Sequence, residues 1–323
     1  MMKYVFNLVV ALAIATTCSA AEDGKEIFTN PESAPASYKL QGEYEGEAGE
    51  DGDSYGAQVT DLGDGEFHIV SYKGGLPGND RSHKDIFMET DGKRDGDSVK
   101  FPHGEFEIVV GGGELRVVNA NGEQVASLDR VVRKSPTLGA KPPKGALVLF
   151  DGTSGDAFEG SQVDDGLLLA NTFSKEKFGD HSMHLEFRTP FKPKGRGQDR
   201  GNSGVYVQSR YEIQVLDSFA LAGKSNECGG IYQIAEPRVN MCFPPLQWQT
   251  YDIDFTAARY DGDGKKTANA RVTVRHNGVV IHDDLELPKQ TPGRHVESPE
   301  PDSLYLQGHG NPVYYRNIWV VKK

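Results

Sequence analysis

The chain has 323 residues, enough for two domains of ordinary size. Its 38 Gly, 17 Pro and repeated Asp-Gly and Asn-Gly pairs, with few long apolar runs, are the composition of a soluble β-rich protein. The formal net charge of −12 argues against a nucleic-acid backbone or an anionic membrane surface as the partner.

The first residues read as a targeting segment. Lys3, the apolar run VFNLVVALAIATT and the small residues Ser19-Ala20-Ala21 follow the order of a secretory signal peptide, and the polar AEDGKE comes next. The run is too short to span a bilayer comfortably. Residues 1–21 are therefore expected to be removed on export, leaving a periplasmic or secreted mature chain with no membrane span. Cys18 raises a lipoprotein alternative, but Ala15-Thr16-Thr17 makes a poor lipobox.

Between about residues 38 and 134, short alternating runs recur: GEFHIVSY, GEFEIVV, GELRVVNA and ASLDRVV, separated by glycine-rich turns. They predict an antiparallel meander or small barrel of unrecognised function, spanning residues 22–140. Its loop YKGGLPGND offers either a contact surface or a plain connection. The segment SPTLGAKPPKG (135–145) has no periodicity and reads as a linker.

Beyond it the strand candidates continue to the C-terminus, from ALVLFDG through SMHLEFRT, SGVYVQ, YEIQVLD, TYDIDFTA and ARVTVRHNG to VYYRNIWVV. Asn277-Gly278 is a two-residue hairpin signal. Roughly a dozen short strands in about 180 residues favour a sandwich or jelly roll, so the fold class is all-β. Only Cys228 and Cys242 remain after Cys18, and two readings stay open: one disulfide, or two buried free thiols.

In RYEIQVLDS, period two places Glu212 and Gln214 on one face. One extra residue before Asp217, as a β-bulge, would return Asp217 to that face. The pattern resembles the E-x-D-x-x-E strand of bulged jelly-roll glucanases, with Gln214 in place of the middle Asp and Asp217 in place of the last Glu, which leaves ordinary retaining hydrolysis in doubt. A solvent-facing strand ending in a turn is the plainer reading. The loop before it carries Lys192, Lys194, Arg196 and Arg200 and reaches a strand through Asn202-Ser203-Gly204. Amides and guanidinium forks suit sugar hydroxyls and carbonyls. His309, between two glycines, is suited to proton transfer near neutrality, and Arg316 follows on a strand. Trp248 either stacks on a sugar ring or fills the core. DGDG at 261–264 lacks the Glu an EF-hand needs at its twelfth position, which is Val272, and reads as a hairpin loop.

LFDGTS, RGNSGVYVQSRYEIQVLDS, CGGIY, PPLQWQTYDIDF, HNGVVIH and LQGHGNPVYYRNIWV occur in that order. This series resembles the 3-keto-disaccharide hydrolase domain family, also described as 3-keto-glucoside 1,2-lyase/3-keto-2-hydroxy-glucal hydratase, over about residues 145–323. The resemblance implies a concanavalin-A-like jelly roll across 141–323. It also implies a glycoside already oxidised at C3 by a separate flavin-dependent glucoside 3-dehydrogenase. A C3 ketone acidifies the C2 proton, so a base removes it, the C1–O bond breaks by elimination, and hydration completes a net hydrolysis. Such chemistry needs a base, an acid at the glycosidic oxygen and donors for the enolate. Carried over by motif, Glu212, Asp217 and His309 are the expected catalytic residues. Asn202, Gln214, Arg316 and Trp248 are the expected substrate contacts. A divalent metal held by Glu212, Asp217 and His309 is a further possibility. A non-catalytic, lectin-like glycan-binding module is the competing reading.

Overall fold

The computed structural model describes residues 26–48, 52–78 and 86–323. The expected signal peptide, with Cys18, lies outside these residues. So does the end of the YKGGLPGND loop.

The N-terminal runs form eight strands: β1 (Gly42–Ala48), β2 (Asp53–Gly63), β3 (Glu66–Lys73), β4 (Ile86–Asp95), β5 (Ser98–His103), β6 (Phe106–Gly111), β7 (Glu114–Val118) and β8 (Gln124–Val131). Each pairs antiparallel with the next, and β8 returns to β1 through Glu43↔Val131 and Glu45↔Asp129. Closure removes both sheet edges, so no unpaired strand is left to solvent. Alternation then decides the inside: Tyr44, Val59, Phe67, Val99, Phe101 and Val110 are all buried. Gly92 makes this possible, because a Cβ there would lie 2.3 Å from the Phe101 ring.

The C-terminal strands are β9 (Leu147–Phe150), β10 (Phe158–Glu159), β11 (Val163–Asp164), β12 (Leu167–Leu169), β13 (Thr172–Phe178), β14 (His181–Arg188), β15 (Ser203–Val207) and β16 (Tyr211–Val215). They continue as β17 (Gln249–Thr256), β18 (Arg259–Tyr260), β19 (Lys266–Ala268), β20 (Ala270–His276), β21 (Val279–Leu287), β22 (Asp302–Leu306) and β23 (Tyr314–Lys322). One sheet has the order β10-β13-β22-β15-β16. The other has the order β11-β12-β23-β14-β17-β20-β21, with β9 added against β23. A single apolar cluster, from Leu149 to Val320, lies between them. The fold is the all-β sandwich that the strand count predicts. Asn277 and Gly278 take positive φ, 51° and 83°, as the β20–β21 hairpin turn demands. DGDG closes the β18–β19 hairpin, with Asp261 Oδ1 accepting the Lys265 and Asp263 amides.

The linker is fastened to the sandwich. Ser135 Oγ lies 2.6 Å from Thr250 Oγ1, and Thr137 Oγ1 donates to Asp252 Oδ2 at 2.7 Å. The Gly139 amide donates to Glu186 Oε1, and the Ala140 carbonyl accepts from Asn317. The barrel is held from a second side: Arg196 and Arg200 donate to the Leu62 and Asp61 carbonyls, and Lys194 pairs with Asp64 at 2.6 Å. Cys228 and Cys242 are both free thiols in the sandwich interior, the first 3.3 Å from the Tyr251 hydroxyl.

Candidate active site

β15 and β16 form a hairpin at the edge of the five-stranded sheet. Its turn, Gln208-Ser209, has two non-glycine residues at positive φ, 52° and 50°. The conformation is held by side-chain bonds, Gln208 to the Phe178 carbonyl and Ser209 to the Ser303 carbonyl. The register sets Tyr206 opposite Glu212 and Gly204 opposite Gln214, so these four positions share one face.

That face lines a cavity of about 150 Å³ with Gln198, Asn202, Tyr232, Gly293, Gln307 and His309. Glu212 is 3% exposed, and its Oε2 accepts the Tyr206 hydroxyl proton at 2.7 Å. Its backbone amide is anchored on Thr291 Oγ1. Burial pushes the Glu212 carboxyl up to about 7, and the Tyr206 hydrogen bond offsets this only in part. Glycine at 204 makes the space, because a Cβ there would lie 2.4 Å from Glu212 Oε1. Gln198 Oε1 accepts both the Asn202 and Gln214 amide groups. That leaves Asn202 Oδ1 buried without a partner, and Gln307 Oε1 is in the same condition. Both residues line the cavity, so a rotation of either amide turns its unmet oxygen toward a ligand hydroxyl.

Four sequence-predicted residues, Glu212, Gln214, Asn202 and His309, therefore line one cavity, with His309 at its exposed side. Three predicted residues do not. The β15–β16 ladder runs without a register shift and β16 ends at Val215, so the expected bulge is replaced by a strand end. Asp217 is buried beyond it, and its Oδ2 accepts from Arg200 Nε at 2.7 Å. Burial raises this carboxyl while Arg200 pulls it down. Arg316 pairs with Glu186 at 2.6 Å, and its guanidinium lies 4.0 Å over the Trp248 ring, with Arg188 4.9 Å from the same ring. Glu186, by contrast, sits at about 2: burial raises it, but bonds from His184, Asn317, Gly139 and Arg316 outweigh that. This cluster takes up the linker and lies apart from the cavity of Glu212.

The metal set does not converge either. Asp217 is committed to Arg200, and among the described residues no three His, Cys, Asp or Glu side chains gather to hold an ion. Tyr206, Gln198, Gln307 and Tyr232 were not singled out in the sequence. The available signal for Tyr206 was the register: once SGVYV and YEIQV are joined as a tight hairpin, it faces Glu212.

The fold and site define a two-sheet jelly-roll protein with a buried carboxyl, a tyrosine and amide side chains in one pocket. The chain belongs to the family of the 3-keto-alpha-glucoside-1,2-lyase-like domain, whose model matches residues 145–321. A crystal structure of a candidate glycosyl hydrolase from Parabacteroides distasonis is 34% identical, with a TM-score of 0.52 over 56% of this chain and 85% of that one. A second candidate glycosyl hydrolase from the same organism is 16% identical, covering 56% of this chain and 94% of that one with a TM-score of 0.42. No curated protein matches the chain. Family and first relative together support a carbohydrate hydrolase-like role.

Proposed function

We propose that the protein cleaves 3-keto-glycosides by elimination and hydration, with Glu212 as the group that moves the C2 proton. The observation that carries this reading is the Glu212 carboxyl, buried and set at about 7 beside Tyr206, in a cavity lined by the amide side chains of Gln198, Asn202, Gln214 and Gln307. A base with a pKa near the working pH is both available in its ionised form and strong enough to take a proton acidified by a neighbouring ketone. Asn202 Oδ1 and Gln307 Oε1 accept sugar hydroxyls. His309 protonates the departing glycosidic oxygen.

The steps balance. Glu212 takes the C2 proton, the electron pair forms the C1=C2 double bond, and C1–O breaks with the leaving oxygen protonated. Water then adds its hydroxyl at C1 and gives its proton to His309, while Glu212, having exchanged its proton with solvent, protonates C2, giving the free 3-keto sugar. The substrate must be supplied by oxidation at C3, for which a flavin-dependent glucoside 3-dehydrogenase is the expected partner. The leader-like order of residues 1–21 supports action in the periplasm or outside the cell.

The test is incubation of the mature protein with 3-keto-trehalose, 3-keto-lactose and their unoxidised parents in D₂O. Release from the keto sugars alone, with deuterium at C2, is the expected result. Binding of a sugar without cleavage of any would replace this reading by a lectin-like one, which needs the amides but no base.

A further inference from the structure

Among the described residues, nothing covers one end of the N-terminal barrel. Tyr44, Phe67 and Phe101 plug its interior near one mouth, all nearly inaccessible. At the other end four inward positions are small, Ala48, Ala57, Ser71 and Ala126, and among the larger Tyr55, Met88 and Val117 they leave a cup of about 210 Å³. The up-and-down topology accounts for the placement. The end of β1, the start of β2, the start of β4 and the end of β5 all meet at that mouth, bringing Ala48, Tyr55, Phe87 and His103 together. Asp61 and Leu62, which receive the sandwich arginines, lie at the plugged end.

An eight-stranded barrel is just wide enough to be filled by its own side chains or to hold one small ligand. Here the small residues leave the second arrangement. Ile69, Ile108 and Leu128 make the wall apolar. An apolar cavity of roughly 150 Å³ accepts benzene, and water entering a cup with apolar walls finds few hydrogen-bond partners there, so an apolar ligand displaces it. The mouth carries a further sign. Phe87 is 56% exposed, and its ring meets Tyr55 edge-on at 5.4 Å, an aromatic rim that barrel packing does not require.

We propose that the barrel binds a small apolar molecule, of about eight to ten carbon atoms by comparison with the benzene-sized cavity, with at most one polar end. The apolar body fills the cup between Ala57 and Ala126. The polar end stays at the mouth beside His103. This site is separate from the Glu212 cavity and does not depend on the sugar chemistry proposed for it.

The test is calorimetric titration of the full mature chain with 1-octanol, n-butylbenzene and octane-1,8-diol, with thermal melting in parallel. Saturable one-to-one binding of the first two ligands, a rise in melting temperature with their concentration and no binding of the diol are expected. Ala126→Leu and Ala57→Leu, which fill the cup, weaken binding at least about tenfold, while Glu212→Gln binds as the wild type does. If Ala57→Leu does not fold, Ala126→Leu, at the half-exposed mouth, still decides the matter. Absence of saturable binding to the wild type, or wild-type binding by a folded Ala126→Leu protein, overturns the proposal.

Discussion

Tyr206 faces Glu212 across the β15–β16 hairpin and donates its hydroxyl proton to Glu212 Oε2 at 2.7 Å. The bond favours the ionised carboxylate and opposes the burial that raises it to about 7. Tyr206→Phe is therefore expected to move the ionisation of Glu212 further up. Because proton abstraction needs the carboxylate, the acid limb of the kcat/KM profile for a 3-keto-glycoside shifts to higher pH. An unmoved limb, with only kcat lowered, would assign Tyr206 to substrate contact instead.

Glu212→Gln removes the base and keeps the shape. A loss of roughly 10²–10⁴-fold in kcat is expected from general-base catalysis. Stability should move the other way. The folded carboxyl at about 7 lies above its ordinary value of 4.5, so the native state holds the proton more tightly than the unfolded chain. Stability is thus penalised as pH rises from 4.5 through about 7. The variant lacks this penalty and gains up to about 3 kcal/mol over the wild type at alkaline pH. Urea melts at acid and alkaline pH measure the difference.

Gly204 is the floor beneath the carboxylate. A methyl group there would stand 2.4 Å from Glu212 Oε1 and 3.0 Å from its Cδ. Gly204→Ala is expected to push Glu212 out of line and lower kcat at least about tenfold, as small misplacements of reacting groups do. The far-ultraviolet circular dichroism should stay unchanged. Full activity would mean that Glu212 has other room to work from.

Asp217 and Arg200 form a buried pair that joins the strand end to the barrel through the Asp61 carbonyl. Removing one partner leaves the other charged and buried. Asp217→Ala or Arg200→Ala should each cost about 3–5 kcal/mol, while Asp217→Leu with Arg200→Met together cost much less. A double-mutant cycle by urea denaturation reads the coupling. If Asp217→Ala instead folds with normal stability and loses turnover, Asp217 belongs to the chemistry after all.

Acid stability is expected to depend on Glu186. Its carboxyl lies at about 2, below its ordinary 4.5: burial raises it, but His184, Asn317, the Gly139 amide and Arg316 bind the ionised form and outweigh that. The resulting stability is complete above 4.5 and is lost as pH falls toward 2. Glu186→Gln should flatten that part of the melting curve and loosen the linker, seen as faster amide exchange at Gly139.

Local pattern was enough for much of this molecule. Period-two alternation gave each strand its inner face, and Asn277-Gly278 announced its hairpin because those residues tolerate positive φ. The same alternation put Glu212 and Gln214 side by side. The order of short motifs from LFDGTS to NIWVV carried the family. What local pattern could not supply was the partner of each charge. Asp217 looked like a second carboxylate for the site, yet Arg200, 17 positions earlier, neutralises it inside the protein. Arg316 and Trp248 looked like sugar contacts, yet Glu186, 130 positions from Arg316, draws the arginine to the other sheet.

The sequence by itself determined the all-β class, the Asn277-Gly278 hairpin and the family, since these follow from periodicity, turn chemistry and chain order. Only the tertiary structure decided the site. Burial sets the Glu212 carboxyl at about 7, a hairpin turn without glycine brings Tyr206 against it, and a strand nearly a hundred residues on delivers Gln307 and His309. Desolvation and cross-strand register are properties of packed neighbours, and neither exists until the two sheets close on each other.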